Sequence, residues 1–351
     1  MDSVTRHQQT FVQFLSRHEP GKGLACVCHN DADGVSSAVL LHHGLADRNP
    51  LHIIATQKAE TAWSPRVQQE IREVAPVAVI ACDLSPREKP VMTGLPNLII
   101  DHHKPDGVGN ETTLITGYGE QPVPTSGLLA YWCGSAVRDL SQYRWIAALS
   151  VLADLSDIRA FPEFQGTSVG FPANLLQRCV SLLNAPRRTG TGNAEPALRL
   201  LLRASTPREL LDANDPDVQL LITARTEVNR ELARAKRSSP RFRGPVALIC
   251  VNSPCQVHPL IAQIWRTRLP AYIVIAANFG YRAGYVHFSV RSTTKRNLIR
   301  FLKKHRPVGA GENFARGHDK ATGGSIPVDS WNEFARALGF SPEEATWQGA
   351  I

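Results

Sequence analysis

The chain has 351 residues, 43% of them hydrophobic and 20% charged, with a formal net charge of +8 and a pI of about 9.3. That length suits two domains, and the composition is ordinary for a globular protein; with no run of 18 apolar residues and no apolar core in MDSVTRHQQTFVQFL, neither a membrane span nor a signal peptide is expected. The basic balance suits a polyanionic partner, and seven scattered cysteines read as reduced thiols of a cytoplasmic protein, not as a disulfide framework.

Taken in order, residues 5–17 read as a short opening helix. An apolar run, Leu24–Cys28, reads as a buried strand, and 35–45 as a helix. Further strands are expected at 51–55, 77–82 and 97–100, with helices at 64–74, 126–138 and 143–153. Strands alternating with helices argue for a parallel sheet with right-handed crossovers. Past Asp157 the texture changes. Residues 159–172 are loop-like, 173–184 helical, and APRRTGTGNAEP (185–196) a connector. Residues 197–236 are mostly helical, and Asp215-Pro216 is a good helix start, a cap residue followed by proline at the first helical position. SSPRFRGP (238–245) reads as a linker. A second α/β unit follows: strand 246–251, helix 257–267, strands 271–277 and 285–290, helix 295–305, a Gly-rich loop over 309–324 and a last helix over 329–338. The domain reading is therefore 1–184, a connector over 185–240, and a smaller α/β domain over 241–351.

Several polar residues sit immediately after apolar runs: His29, Asp31 and Asp33, then Asp83, then Asp101, with His102 and His103 next in the chain. In parallel sheets ligands collect beyond the carboxyl ends of the strands. Carboxylates with imidazoles form a hard-ligand set that suits Mn²⁺, Mg²⁺ or Fe²⁺ better than a thiolate-rich structural zinc. Two carboxylates two residues apart on a turn reach neighbouring ions, and a shared one bridges ions about 3.5–4 Å apart, as two-metal phosphoester chemistry requires. Each residue alone has a plainer explanation. Asp31 and Asp83 are good helix caps. Asp154, in IAALSVLADLSDI, is costly in an apolar helix unless paired or metal-bound, but it also fits a solvent-facing helix end. The joint occurrence in this order is what favours a site.

These residues resemble the motifs of the DHH phosphoesterases. His29-x-Asp31-x-Asp33-Gly34 looks like the first motif, Cys82-Asp83 the second, Asp101-His102-His103 the third and Ala153-Asp154 the fourth. The resemblance implies an α/β fold: a parallel-sheet DHH domain, a helical connector and a smaller DHH-associated domain, with a cleft between. It implies two Mn²⁺ ions, with Mg²⁺ possible, held by His29, Asp31, Asp33, Asp83, Asp101, His102 and Asp154. His103, Asp33 and His29 would serve catalysis, His103 by contacting the scissile phosphate or assisting proton transfer. A histidine two before the first aspartate, with Val27 at the position four before it, is similar to the RecJ-like branch of single-strand exonucleases.

In the second α/β unit, alternation along VHFSVRS puts His287, Ser289 and Arg291 on one strand face, where an arginine holds phosphate with two parallel hydrogen bonds or makes a surface ion pair. The stretch Ala315-Arg316-Gly317-His318-Asp319-Lys320-Ala321-Thr322-Gly323-Gly324 is similar to the family's Gly-rich loop, with Ala315 and Arg316 in place of its leading glycines. The resemblance implies that Arg291, Ser289, Arg316, Gly317 and His318 bind substrate. Gln256, His258 and Gln263 open a helix that touches substrate or only packs. Lys295, Arg296, Arg300, Lys303, Lys304, His305 and Arg306 form either a solvated face or a track for a nucleic-acid backbone.

The leading expectation is a two-metal phosphodiesterase or exonuclease acting on single-stranded DNA or RNA, or on short oligonucleotides. The alternative is a phosphodiesterase or phosphatase of small nucleotides such as a cyclic dinucleotide or pAp. A non-catalytic relative that only holds nucleic acid is disfavoured, because every motif carboxylate and both histidines of Asp101-His102-His103 are present.

Overall fold

A computed structural model of the chain describes residues 2–154, 157–165, 169–311 and 314–347, and of Arg316, Gly317 and His318 the backbone alone. The chain divides into two compact units, Met1–Arg187 with Thr191–Thr223, and Arg188–Gly190 with Ala224–Ile351.

The first unit runs α1 (Ser3–Ser16), β1 (Leu24–Cys28), α2 (Ala32–Leu45), β2 (Leu51–Ala55), α3 (Pro65–Val74), β3 (Ala78–Cys82), β4 (Asn97–Asp101), β5 (Thr112–Thr116), α4 (Ser126–Ser135), α5 (Arg144–Asp154), α6 (Ala173–Leu183) and α7 (Glu195–Arg203). Its five strands form one sheet in the order β2-β1-β3-β4-β5, parallel throughout. A parallel sheet needs cover on both faces, and β1 shows it: all five of its residues are buried. Cys26 and Cys28 face a core shared with Leu40, Leu128 and Ile146, while Ala25 and Val27 face one shared with Val67 and Ile71 of α3. All seven cysteines are free and buried.

Helix α8 (Pro216–Ala235) continues from the first unit into the second. There β6 (Arg241–Arg243), β7 (Val246–Val251), α9 (His258–Arg268), β8 (Ile273–Arg282), β9 (Tyr285–Arg291), α10 (Leu298–Lys304), β10 (Arg316–His318), β11 (Ala321–Pro327), α11 (Val328–Ala337) and α12 (Pro342–Ala345) follow. The six strands form a mixed sheet in the order β10-β11-β9-β8-β7-β6, in which only β7 and β8 run parallel. Phe288, Trp331 and Phe334 pack on one face, and Ala262, Ile261 and Val228 on the other. Among the described residues no helix is long and apolar enough to cross a membrane.

Several elements depart from the sequence expectation. Helix α2 begins at Ala32, not at 35, because Asp31 caps it. The edge strand β5, with three threonines in five residues, lacks an apolar signature. Only the later part of the expected Gly-rich loop is a strand pair: Gly317, Gly323 and Gly324 lie in the hairpin β10–β11, where a Cβ on Gly323 would sit 2.3 Å from the carbonyl oxygen of Phe288. Part of the expected linker pairs with β7 as β6. Helix α10 starts at Leu298 because the Asn297 side chain accepts a hydrogen bond from the Arg300 amide at 2.9 Å.

Candidate metal centre

Strands β1, β3 and β4 are neighbours and parallel, so the residues that follow them emerge side by side. The ladder continues past the strand ends: the His29 amide donates to the Cys82 carbonyl at 3.1 Å, and the Asp83 amide to the Ile100 carbonyl at 3.1 Å. This brings His29, Asp83 and Asp101 to one sheet edge.

Asp31 divides its two oxygens between roles. Oδ1 accepts from the Gly34 amide at 3.0 Å and caps α2. Oδ2 lies 2.8 Å from His29 Nδ1 and accepts from the Arg187 guanidinium. Gly34 is required where His29 folds back: a Cβ there would lie 2.4 Å from the His29 carbonyl oxygen. Asp33, in the first turn of α2, is fully buried. The backbone amides at the start of α4 hold its carboxylate, Gly127 at 2.7 Å and Ser126 at 3.1 Å. A helix N-terminus is a favourable place for that charge.

Asp83 has φ +63°, in the left-handed region that aspartate tolerates better than most side chains. Its Oδ1 accepts from Ser126 Oγ at 3.2 Å, and its Oδ2 lies 3.4 Å from His29 Nδ1. Asp154 is the last residue of α5, and its Oδ2 lies 3.2 Å from His102 Nε2. His102 Nε2 is also 3.5 Å from Asp83 Oδ1 and 3.8 Å from Asp33 Oδ2. It is buried and lacks a partner of hydrogen-bond geometry.

The candidate ligand atoms therefore fall into overlapping groups: His29, Asp31 and Asp83; Asp33, His102 and Asp154; and Asp83, His102 and His103. Asp101 is in none of them. One oxygen accepts from the His103 amide at 2.7 Å and His103 Nδ1 at 2.9 Å, the other from the Ser85 amide at 2.8 Å. Its carboxylate thus orients His103 and the turn after β3.

The electrostatics follow from crowding. Burial and the neighbouring carboxylates of Asp83 and Asp154 push Asp33 well above the usual carboxylate range. Burial alone would lower His29 and His102, but the carboxylates outweigh it: Asp31 and Asp83 raise His29 to about 10, and Asp154, Asp83 and Asp33 raise His102 to about 12. Asp31 is held low against burial by His29 and Arg187. The histidines and the Arg187 guanidinium thus offset the crowding of these carboxylates.

In the second unit, Val286, Phe288 and Val290 enter the core, so the other face of β9 carries His287, Ser289 and Arg291, as the alternation predicts. Arg291 Nη1 donates to the carbonyls of Val290 and Thr322, at 3.0 and 3.2 Å. Burial, then Arg266, lower its pKa. His258 is buried with Nδ1 unpartnered, and burial, His287, Arg291 and Arg188 hold its pKa well below the imidazole range. Gly317 pairs with Thr322 through the backbone, while the side chains of Arg316 and His318 lie outside the described residues.

Sequence reasoning missed Arg187, in a single 3₁₀ turn (Pro186–Arg188) with no motif around it, and Ser126 and Gly127, whose contribution comes chiefly from backbone amides. The one available signal for the last pair was Thr125-Ser126-Gly127, a capping residue followed by small ones.

No protein-family model and no curated protein matches the chain. Among solved structures it is similar to RecJ from Thermus thermophilus in complex with Mn²⁺, at 17% identity and a TM-score of 0.66, over 96% of this chain and 54% of that one. It is similar also to an exonuclease RecJ bound to manganese, at 18% identity and a TM-score of 0.60, over 96% and 94% of the two chains. A third likeness is the DHH domain of a member of a ribosomal-protein family, at 12% identity and a TM-score of 0.63, over 97% and 93%. The chain spans about half the length of the Thermus RecJ. These likenesses establish the fold as the RecJ-like DHH fold.

Proposed function

We propose that the chain is a two-metal phosphodiesterase that hydrolyses single-stranded nucleic acid or short oligonucleotides, with Mn²⁺ as the ion it uses and Mg²⁺ as a substitute. The observation that carries this reading is His102 Nε2, buried and unpartnered while three carboxylates converge on it. An orphaned buried nitrogen costs about 1–3 kcal/mol, and crowded buried carboxylates repel one another. A divalent cation relieves both. The all-oxygen-and-imidazole donor set fits Mn²⁺ or Mg²⁺ better than a soft metal. The manganese in the two RecJ structures supports the same choice.

His29, Asp31 and Asp83 would hold one ion, and Asp33, His102 and Asp154 the other, with Asp83 facing both groups. When bound, such a pair supplies an activated hydroxide and screens charge on a phosphate. The chain's own residues then do the positioning. The α4 amides fix Asp33, and Ser126 fixes Asp83. Asp101 fixes His103 through Nδ1, leaving Nε2 to touch the scissile phosphate or carry a proton. Arg291, whose described hydrogen bonds go only to carbonyls, suits a phosphate, and Ser289, Arg316, Gly317 and His318 complete the proposed substrate-binding set.

A substrate panel tests this: single-stranded DNA, single-stranded RNA, a dinucleotide, pAp and a cyclic dinucleotide, each with Mn²⁺, with chelator, and with Asp33→Ala. The expected outcome is cleavage of single strands or dinucleotide that chelator abolishes and Asp33→Ala lowers by about 10²–10³-fold or more. Equal rates for wild type and variant on every substrate would sink the catalytic assignment. Cleavage of pAp or the cyclic dinucleotide alone would replace the polynucleotide reading with the small-nucleotide one.

A further inference from the structure

The two units differ sharply in charge. The first carries 18 Lys and Arg against 23 Asp and Glu, a net −5; the second carries 21 against 8, a net +13. Much of that excess lies in one stretch. Lys295, Arg296, Arg300, Lys303, Lys304 and Arg306 are all exposed, on α10 and its two flanks. The helix presents them because Leu298 and Leu302 take its buried side. Among the described residues, the ion pairs of this unit lie elsewhere, at Arg234–Glu231 and Arg243–Glu344.

Two neighbouring cations have structural work. Arg306 donates to the carbonyls of Ala310 and Gly311 and lies over Phe314. Lys320 Nζ donates to the carbonyls of Thr294 and Arg296, fastening the β10–β11 turn to the segment before α10. Among the described residues, the side chains of Arg296, Arg300, Lys303 and Lys304 have no such employment. Clustering like charges on one short surface is unfavourable by itself, since cations spaced i, i+3 and i+4 on a helix repel. The only aromatic rings within 295–320 are Phe301, Phe314 and two histidines, and Phe314 is buried while Phe301 packs against His305 at 4.8 Å. The stretch 295–320 itself therefore offers charge without an exposed Phe, Tyr or Trp among its described residues.

We infer that Arg296, Arg300, Lys303 and Lys304 form a phosphate track that holds the backbone of a single strand without reading its bases. The inference rests on the nucleic-acid reading proposed above and extends it, giving the chain a binding surface that a dinucleotide is too short to use. Binding to such a surface is driven by counterion release, and each phosphate neutralised on a single strand contributes about 0.7 to the slope of log affinity against log salt.

The test is equilibrium binding of a fluorescent 30-nucleotide oligothymidylate to the full chain in excess chelator, so that no cleavage is required, at 50 and 200 mM salt. The variant replaces Arg296, Arg300, Lys303 and Lys304 together by Gln. A control variant replaces Arg17, Lys22, Arg72 and Arg178, exposed cations of the first unit, by Gln and so removes the same net charge. Four lost phosphate contacts lower the salt slope by about 2.8, so the track variant's affinity falls about 50-fold less than wild type's between the two salt concentrations. The control keeps the wild-type slope. Wild-type salt dependence in the track variant, equal loss in both variants, or track-dependent binding to vesicles with 30% phosphatidylserine but not to the oligonucleotide would each overturn the inference. Because chelator is present throughout, the slope stands or falls independently of whether any substrate is cut.

Discussion

At the scale of single residues, the candidate metal centre depends on groups that are not themselves ligands. Gly127 shows this most directly. Its amide is one of two that hold Asp33, and a Cβ at that position would lie 2.5 Å from Cβ and Oγ of Ser150 and 3.1 Å from Asp33 Oδ1. Gly127→Ala is expected to cost about 1–3 kcal/mol, as overpacking of a close contact does. Urea denaturation reads the change in midpoint; a wild-type midpoint would mean that α4 moves freely away from α5. Asp31 shows why the plain and the functional explanation of one residue need not compete: it is a helix cap through one oxygen and faces His29 and Arg187 through the other. The carboxylates and histidines were legible because each follows an apolar run. Arg187 was not, because nothing in the sequence around it distinguishes it from any other arginine of a connector.

At the scale of elements, apolar periodicity made the buried parallel strands readable and left the polar ones hidden. Strand β1 is apolar throughout, whereas β5 and β11 are rich in Thr, Ser and Gly and are strands because their neighbours pair with them. A titratable contact ties α2 to the turn that precedes α5. His43 stacks on Tyr143 with ring centroids 3.9 Å apart and planes 6° from parallel, and its Nε2 is buried without a partner. Burial first, then His42 and Arg138, push its pKa down from 6.5 to about 4. The sign follows: between pH 6.5 and about 4 the unfolded chain takes up the proton and the folded chain does not, so this contribution is present above 6.5 and is lost as pH falls through that window. His43→Phe keeps the stacking and removes the proton site. The stability difference between variant and wild type, measured by urea unfolding at pH 7 and pH 4.5, is expected to shift in favour of the variant at the lower pH. An unchanged difference would contradict a neutral His43 in the fold.

At the scale of the whole molecule, the division of charge matches the proposed division of labour. Acidic ligands are concentrated in a unit of net −5, and the second unit carries +13 with Arg291 and the α10 cations. The overall charge of +8 hides this asymmetry, which appears only once the unit boundaries are known. The α/β class and the acidic motif set were legible early, since alternating strands and helices and ordered carboxylates are local signals. The hairpin β10–β11 was not, because its Gly, Thr and Ser residues lack the apolar alternation that marks a strand. The central claim is that six side chains of the first unit form two adjoining cation sites. The most direct measurement is an anomalous-difference map from crystals grown with Mn²⁺. Two peaks are expected, one touching His29, Asp31 and Asp83 and the other Asp33, His102 and Asp154, with the second lost in Asp154→Ala. No peak at these residues, or peaks that ignore His102, would contradict the claim.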